Sequence, residues 1–373
     1  MGALLWTRRG DPGADAIIPN KSDRNMVRVM IIDDSLTVRT VFSRMIDREP
    51  DLMVVAQAST AEQALRALRA TPVDVVLLDL EMPGMGGLEA LPEILKTSDG
   101  LQTLVVSALT ADGAEATVSA LRMGAADTML KPRPGGFNEE YRNQLLGKIR
   151  ALGSRHSPDA ASTARSTPVS GARSAARKIP RVVAIGASTG GIHALNLFLR
   201  RLPASFDLPI LITQHLPESF IPVFARQMEA AAGRDAVLAD ENVAILPRRI
   251  VIAPGNGHMI VRRRGRAIVA GLAYHSVRSG CRPSVDPMFQ SLAQVYDGHV
   301  AGVLLSGMGR DGTDGAEELA AAGGGIYAQD ESTCAVWGMP RAVAESGIAV
   351  AVSPPEELAD RIVAAAAGIP SWR

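Results

Sequence analysis

From Met26 onward, short apolar runs alternate with amphipathic stretches. "VRVMII", "LMVVAQA", "VDVVLL", "LQTLVVS" and "DTMLK" follow one another between residues 26 and 150. They are rich in branched residues and lack polar alternation, which suits strands covered on both faces. Stretches such as "TAEQALRALRA" place apolar residues at helical spacing between them. Strand–helix units in series predict a doubly wound parallel sheet.

The pattern stops in residues 151–179, where Ser, Ala, Pro and Arg dominate and no apolar periodicity survives. Such a stretch cannot bury a core and reads as a flexible linker. From 180 to 373 the alternation resumes with "RVVAIGA", "LPILITQH", "RRIVIAP", "HVAGVLLSGMG", "GGIYAQD" and "IAVAVSP". "HMIVRRRGRAIVAG" reads as an inserted hairpin with "RRRG" at its turn. The expectation is an α/β protein of two doubly wound domains, 26–150 and 180–373, with residues 1–25 a disordered extension.

Composition narrows the partners. The 39 basic and 39 acidic residues cancel, which gives no electrostatic case for nucleic acid or an anionic membrane. Aromatics are 4% of the chain, a poor endowment for stacking on bases. No apolar run is long enough to span a bilayer, so no membrane insertion is expected. Cys281 and Cys334 form neither a disulfide framework nor a metal spacing and read as idle thiols in a reducing cytoplasm.

Parallel sheets gather reactive loops at the carboxyl ends of their strands. In the first half those ends carry Asp33 and Asp34, then Asp79, Ser107 and Lys131. Carboxylates converging on one edge repel one another unless a cation offsets them. All-oxygen ligands favour a hard ion such as Mg²⁺. A lysine and a hydroxyl beside them can hold phosphoryl oxygens, which makes Asp79 a carboxylate nucleophile for phosphoryl transfer. In this respect residues 26–150 resemble a response-regulator receiver domain. The resemblance implies phosphorylation of Asp79 by a histidine kinase. It also implies a metal site of Asp33, Asp34, Asp79 and the Glu81 backbone carbonyl, with Ser107 and Lys131 as switch residues. Two positions depart from the pattern: Thr128 replaces an aromatic switch residue, and Gly86 stands where an aspartate is common.

In the second half, "IGASTGG" sets Ser188 between Gly186 and Gly190. A dinucleotide fingerprint needs glycine where Ser188 stands, because backbone must approach the pyrophosphate there. G-x-S-x-G at a strand-to-helix turn is instead a nucleophile elbow. A base and an orienting acid should accompany it. Among the histidines, His215 closes the next strand at its carboxyl edge. Asp311 in "GMGRDG" and Asp330 in "IYAQD" are the acids at such edges; the glycine-rich turn can bring the Asp311 carboxylate close to the elbow, whereas Asp330 could equally cap "ESTCAV", so Asp311 is chosen. The order Ser, His, Asp differs from that of α/β-hydrolases, so that fold is not expected.

"IGASTGG", "QHLPESF", "APGNGHM", "CRPSVDPMF", "SGMGRDG" and "AQDESTCAVWGMPRAV" together resemble the effector domain of the chemotaxis protein-glutamate methylesterase family. The resemblance implies a Ser188–His215–Asp311 triad, oxyanion stabilisation near Thr189 and Met308, and no cofactor for ester hydrolysis. It implies demethylation of glutamate methyl esters, and deamidation of glutamines, on the cytoplasmic region of a methyl-accepting chemoreceptor. The expected protein is cytoplasmic and monomeric. Its unphosphorylated receiver should pack over the elbow, and phosphorylation of Asp79 by the chemotaxis kinase should loosen it. A DNA-binding effector is the rival reading, but the second half presents no basic recognition helix. A non-catalytic scaffold is the other, and the intact triad opposes it.

Overall fold

The structure, a computed structural model, describes residues 26–369 except 99, 108–109, 133–135 and 155–176. The extension expected over 1–25 and most of the expected linker lie outside the described residues.

The first half alternates β1 (Val27–Ile32), α1 (Leu36–Ile46), β2 (Leu52–Ala58), α2 (Ala61–Ala70), β3 (Val75–Leu78), α3 (Gly87–Leu95), β4 (Gln102–Ser107), α4 (Ala111–Met123), β5 (Asp127–Leu130) and α5 (Glu139–Gly153). Its strands pair in parallel in the order β2-β1-β3-β4-β5. Strands β3 and β4 are buried throughout, as their unbroken apolar runs require. Local chemistry sets the helix starts. Ser35, Thr60, Thr110 and Asn138 each accept a bond from a first-turn amide with the side-chain oxygen, a contribution of about 1 kcal/mol per cap.

The second half contains β6 (Val182–Ala187), α6 (Gly191–Arg201), β7 (Ile210–Gln214), α7 (Ile221–Ala232), β8 (Ala236–Leu238), β9 (Ile250–Ile252), the hairpin β10 (His258–Arg264) and β11 (Ala267–Ala273), α8 (Val285–Val295), β12 (Val300–Leu304), α9 (Thr313–Ala321), β13 (Gly325–Gln329), α10 (Met339–Glu345), β14 (Ala349–Ser353) and α11 (Pro355–Ala366). The main sheet is parallel, in the order β14-β13-β12-β6-β7-β9-β8. The hairpin forms its own antiparallel ribbon. The three-residue edge strand β8 has no counterpart in the sequence reading, because so short a run carries no period.

Strand β6 lies between β7 and β12. The chain winds outward from it in both directions, so the crevice at its carboxyl end is the topological switch point where ligands bind in such sheets. The receiver-like half packs directly on this end of the second domain. Ala114, Val118 and Leu121 of α4 join one buried apolar cluster with Phe220, Ile221 and Phe224 at the start of α7.

Candidate active site and phosphoacceptor pocket

The carboxyl edge of the first sheet forms an acidic pocket. Lys131 Nζ lies 2.8 Å from Asp33 Oδ2 and 2.7 Å from Asp79 Oδ2. The Glu81 amide donates to Asp79 Oδ1 at 3.1 Å. Gly87 permits the tight return of the chain: a Cβ there would lie 2.0 Å from the Asp79 carbonyl oxygen. Burial raises the Asp79 pKa above its ordinary value. Lys131 opposes that shift and the nearby Asp33 charge reinforces it. Oxygens of Asp33, Asp34 and Asp79 all come within 4.8 Å of one another. One lysine among three carboxylates leaves surplus negative charge, and an all-oxygen set suits a hard divalent cation. The Ser107 hydroxyl faces α4 and accepts from Thr117 Oγ1 at 2.7 Å. Thr128 is buried on β5.

In the second domain Ser188 follows β6, and its backbone is held from three sides. Its amide donates to Ser306 O at 3.0 Å. Gln214 Nε2 donates to its carbonyl at 2.9 Å. Gly307 abuts it so closely that a Cβ there would lie 2.8 Å from Ser188 Cβ. Gly190, at φ 76°, turns the chain into α6. This strand–turn–helix geometry lifts one hydroxyl at a helix N-terminus, where developing negative charge is favoured.

His215 follows β7, and its amide donates to Ala187 O at 3.1 Å, which keeps it beside the elbow. Its Nε2 lies 2.8 Å from Asp311 Oδ2. That leaves Nδ1 as the ring nitrogen not engaged by the carboxylate. Asp311 is almost wholly buried and accepts four bonds. His215 Nε2 and the Val285 amide reach Oδ2, while Ser279 Oγ and Ser284 Oγ reach Oδ1. Burial alone would raise the Asp311 pKa, but the His215 charge and these donors hold it below the ordinary carboxylate range. For His215, burial works downward, and the Asp311 and Cys281 side chains outweigh it, lifting the pKa to about 9. Among the described residues none accepts a hydrogen bond from the Ser188 hydroxyl; catalytic bonds of this kind commonly tighten only when substrate binds.

The other acid, Asp330, accepts from Ser332 and Thr333 in its own turn. His258 is buried against the backbone of His275 and Ser284. Met308 sits on an exposed lip next to Gly307. Thr189 is buried, and its hydroxyl donates to Asp127 Oδ2 of the first domain at 2.5 Å. The Gly190 amide donates to Ala126 O at 2.5 Å. A receiver segment thus lies against the two residues that follow Ser188. Lys148 holds Asp127 from within its own domain.

Sequence reasoning missed several members of this arrangement: Gln214, Ser279, Ser284 and Ser306 as supports, Cys281 beside His215, and Asp127 at the domain contact. Only Ser284 carried a local signal, as a serine positioned to cap α8.

Fold and site together define a two-domain signalling protein, a receiver joined to an α/β effector with its reactive groups at the sheet's switch point. Residues 29–136 match the family described as response regulator receiver domain, and 183–362 the family described as CheB methylesterase. A protein-glutamate methylesterase/protein-glutamine glutaminase 2 of Caulobacter vibrioides is 42% identical over 350 residues, covering 92% of this chain and 100% of its own. A counterpart from Paramagnetospirillum magneticum is 39% identical over 367 residues, covering 91% of this chain and 96% of its own. The crystal structure of the Thermotoga maritima CheB methylesterase catalytic domain is 32% identical, with a TM-score of 0.48, covering 49% of this chain and 97% of that one. The chain belongs to the protein-glutamate methylesterase/protein-glutamine glutaminase family.

Proposed function

We propose that the protein is a phosphorylation-activated serine hydrolase that removes methyl groups from glutamate methyl esters on a chemoreceptor's cytoplasmic region, and deamidates glutamines there by the same acyl chemistry. The observation that carries this reading is the buried Asp311 bonded to His215 beside the Ser188 elbow. His215 takes the Ser188 proton through its Nδ1, and Asp311 holds the ring and stabilises the imidazolium. Ser188 attacks the ester carbonyl. Backbone donors near Thr189 and Met308 hold the oxyanion, worth roughly 3–4 kcal/mol per donor in comparable hydrolases. His215 returns the proton to the departing methanol, and water then releases the glutamate by the reverse sequence.

Asp79 is the phosphoacceptor, supplied by a histidine kinase. Asp33, Asp34, Asp79 and the Glu81 carbonyl would hold Mg²⁺, which neutralises phosphoryl charge when bound. Lys131 pairs with a phosphoryl oxygen, and Ser107 turns from Thr117 to another. Control is steric: the receiver contacts at Thr189 and Gly190 hold the effector closed, and a bias of about 1.4 kcal/mol against docking gives tenfold activation.

Methanol release from methylated receptor membranes tests the chemistry. Ser188→Ala should lower it by on the order of 10⁴-fold or more, and Asp311→Asn comparably. Full release by Ser188→Ala would refute the assignment.

A further inference from the structure

We propose that His215, Cys281 and Asp311 form a binding site for a thiophilic divalent cation of the Zn²⁺ type, and that its occupancy switches the esterase off. This rests on the reading of His215 as the general base.

Cys281 neither attacks nor transfers a proton in the proposed ester hydrolysis, yet the fold delivers it to the catalytic pair. It lies in the irregular segment between β11 and α8, just after a turn at Gly280 with φ 69°. Its amide donates to Ser279 Oγ at 3.3 Å, and the same hydroxyl donates to Asp311 Oδ1 at 2.8 Å. The thiol is thereby anchored relative to the carboxylate. A ring nitrogen of His215, Sγ of Cys281 and an oxygen of Asp311 all lie within 4.8 Å of one another. Ligands on a tetrahedral zinc stand roughly 3.3–3.8 Å apart, given bond lengths of about 2.0–2.3 Å, so a small rearrangement that opens the 2.8 Å His215–Asp311 contact completes the set.

The donor chemistry selects the ion. One imidazole, one thiolate and one carboxylate suit Zn²⁺ and exclude Mg²⁺, which prefers oxygen alone. The receiver pocket, with only carboxylates, makes the opposite choice. One molecule would therefore sort two metals between two sites. Cys281 and His215 are partly exposed and Asp311 is buried behind them, so an ion can enter from solvent and meet an anchored carboxylate. Three protein ligands leave the fourth position to water. Binding releases to solvent the Cys281 thiol proton and, below its raised pKa, the His215 imidazolium proton, and takes up the ring-nitrogen lone pair so freed. The imidazole can then no longer both lean on Asp311 and accept the Ser188 proton.

The test uses the full chain with saturating Mg²⁺, titrated with Zn²⁺ alone. Methanol release is expressed as a fraction of each variant's own zinc-free rate, so that differences in basal activity cancel. In the wild type the fraction should fall more than tenfold. In Cys281→Ser and Cys281→Ala the zinc concentration for half-inhibition should rise by at least the ~10–100-fold that losing an outer-shell partner costs a metal site. Co²⁺ supplies a readout without turnover: a thiolate-to-cobalt charge-transfer band with one-to-one stoichiometry, absent in Cys281→Ser. Equal zinc sensitivity in the wild type and both variants, or a cobalt band that persists in Cys281→Ser, would overturn the site. A cobalt band in a protein that releases no methanol even without zinc would count against the esterase reading and leave the metal site standing.

Discussion

The Thr189 hydroxyl donates to Asp127 Oδ2 at 2.5 Å, which ties a receiver carboxylate to the residue next to Ser188. The bond crosses the domain boundary beside the proposed nucleophile rather than at its periphery. In the proposed mechanism, docking and catalysis therefore compete for the residues that follow Ser188.

Removing that carboxylate should weaken docking. A hydrogen bond to a charged group contributes about 1.5–3 kcal/mol. Asp127→Ala should thus shift the closed–open balance by about 10- to 150-fold and raise basal methanol release without phosphodonor, up to the fully activated rate. Retained phosphorylation of Asp79 would verify that the receiver still folds. Unchanged basal release would show that this contact does not hold the effector closed.

Thr117 should act as the resting partner of the switch hydroxyl. Ser107 accepts its bond at 2.7 Å, and Thr128 stands where an aromatic relay would be expected. A link from Ser107 to α4 through Thr117 reaches the docking helix directly. Thr117→Val removes a bond worth about 1 kcal/mol in the resting form only. Half-activation should then need about fivefold less phosphodonor. An unaltered phosphodonor titration would place the relay elsewhere.

The pH profile of kcat/KM should have a single rising limb through neutral and mildly alkaline pH. The proposed mechanism needs neutral His215, and its pKa is lifted from 6.5 to about 9. A raised value keeps the imidazole protonated over that interval, so activity is lost as pH falls through it. Cys281→Ala removes one of the supports of the raised value, and the midpoint should move toward 6.5. Initial rates of methanol release across a buffer series read both. A profile flat from pH 6 to 9 would contradict the assignment of base.

Much of this was legible along the chain. Asp33, Asp79, Ser107 and Lys131 each end a strand, and parallel winding brings such ends together whatever their separation in sequence. The same rule placed Ser188, His215 and Asp311 on one edge. Periodicity reports which face an element buries, and it carries no information about contacts between separately folded units. Asp127 therefore looked like an ordinary strand residue, and its bond to Thr189 emerged only with docking. Cys281 lay in a segment with no period, far along the chain from His215, so no ligand spacing marked it. The edge strand β8 and the serines that support Asp311 escaped notice for the same reason: their roles depend on loop geometry.

The most direct test of the account joins both halves in one assay. Methanol release from methylated receptor membranes would be measured with and without a small phosphodonor, for the wild type, Ser188→Ala and Asp79→Asn. The account predicts release that rises at least tenfold with phosphodonor in the wild type, stays at its basal rate in Asp79→Asn and vanishes in Ser188→Ala. Equal stimulation of Asp79→Asn and the wild type would contradict receiver control of the esterase through Asp79.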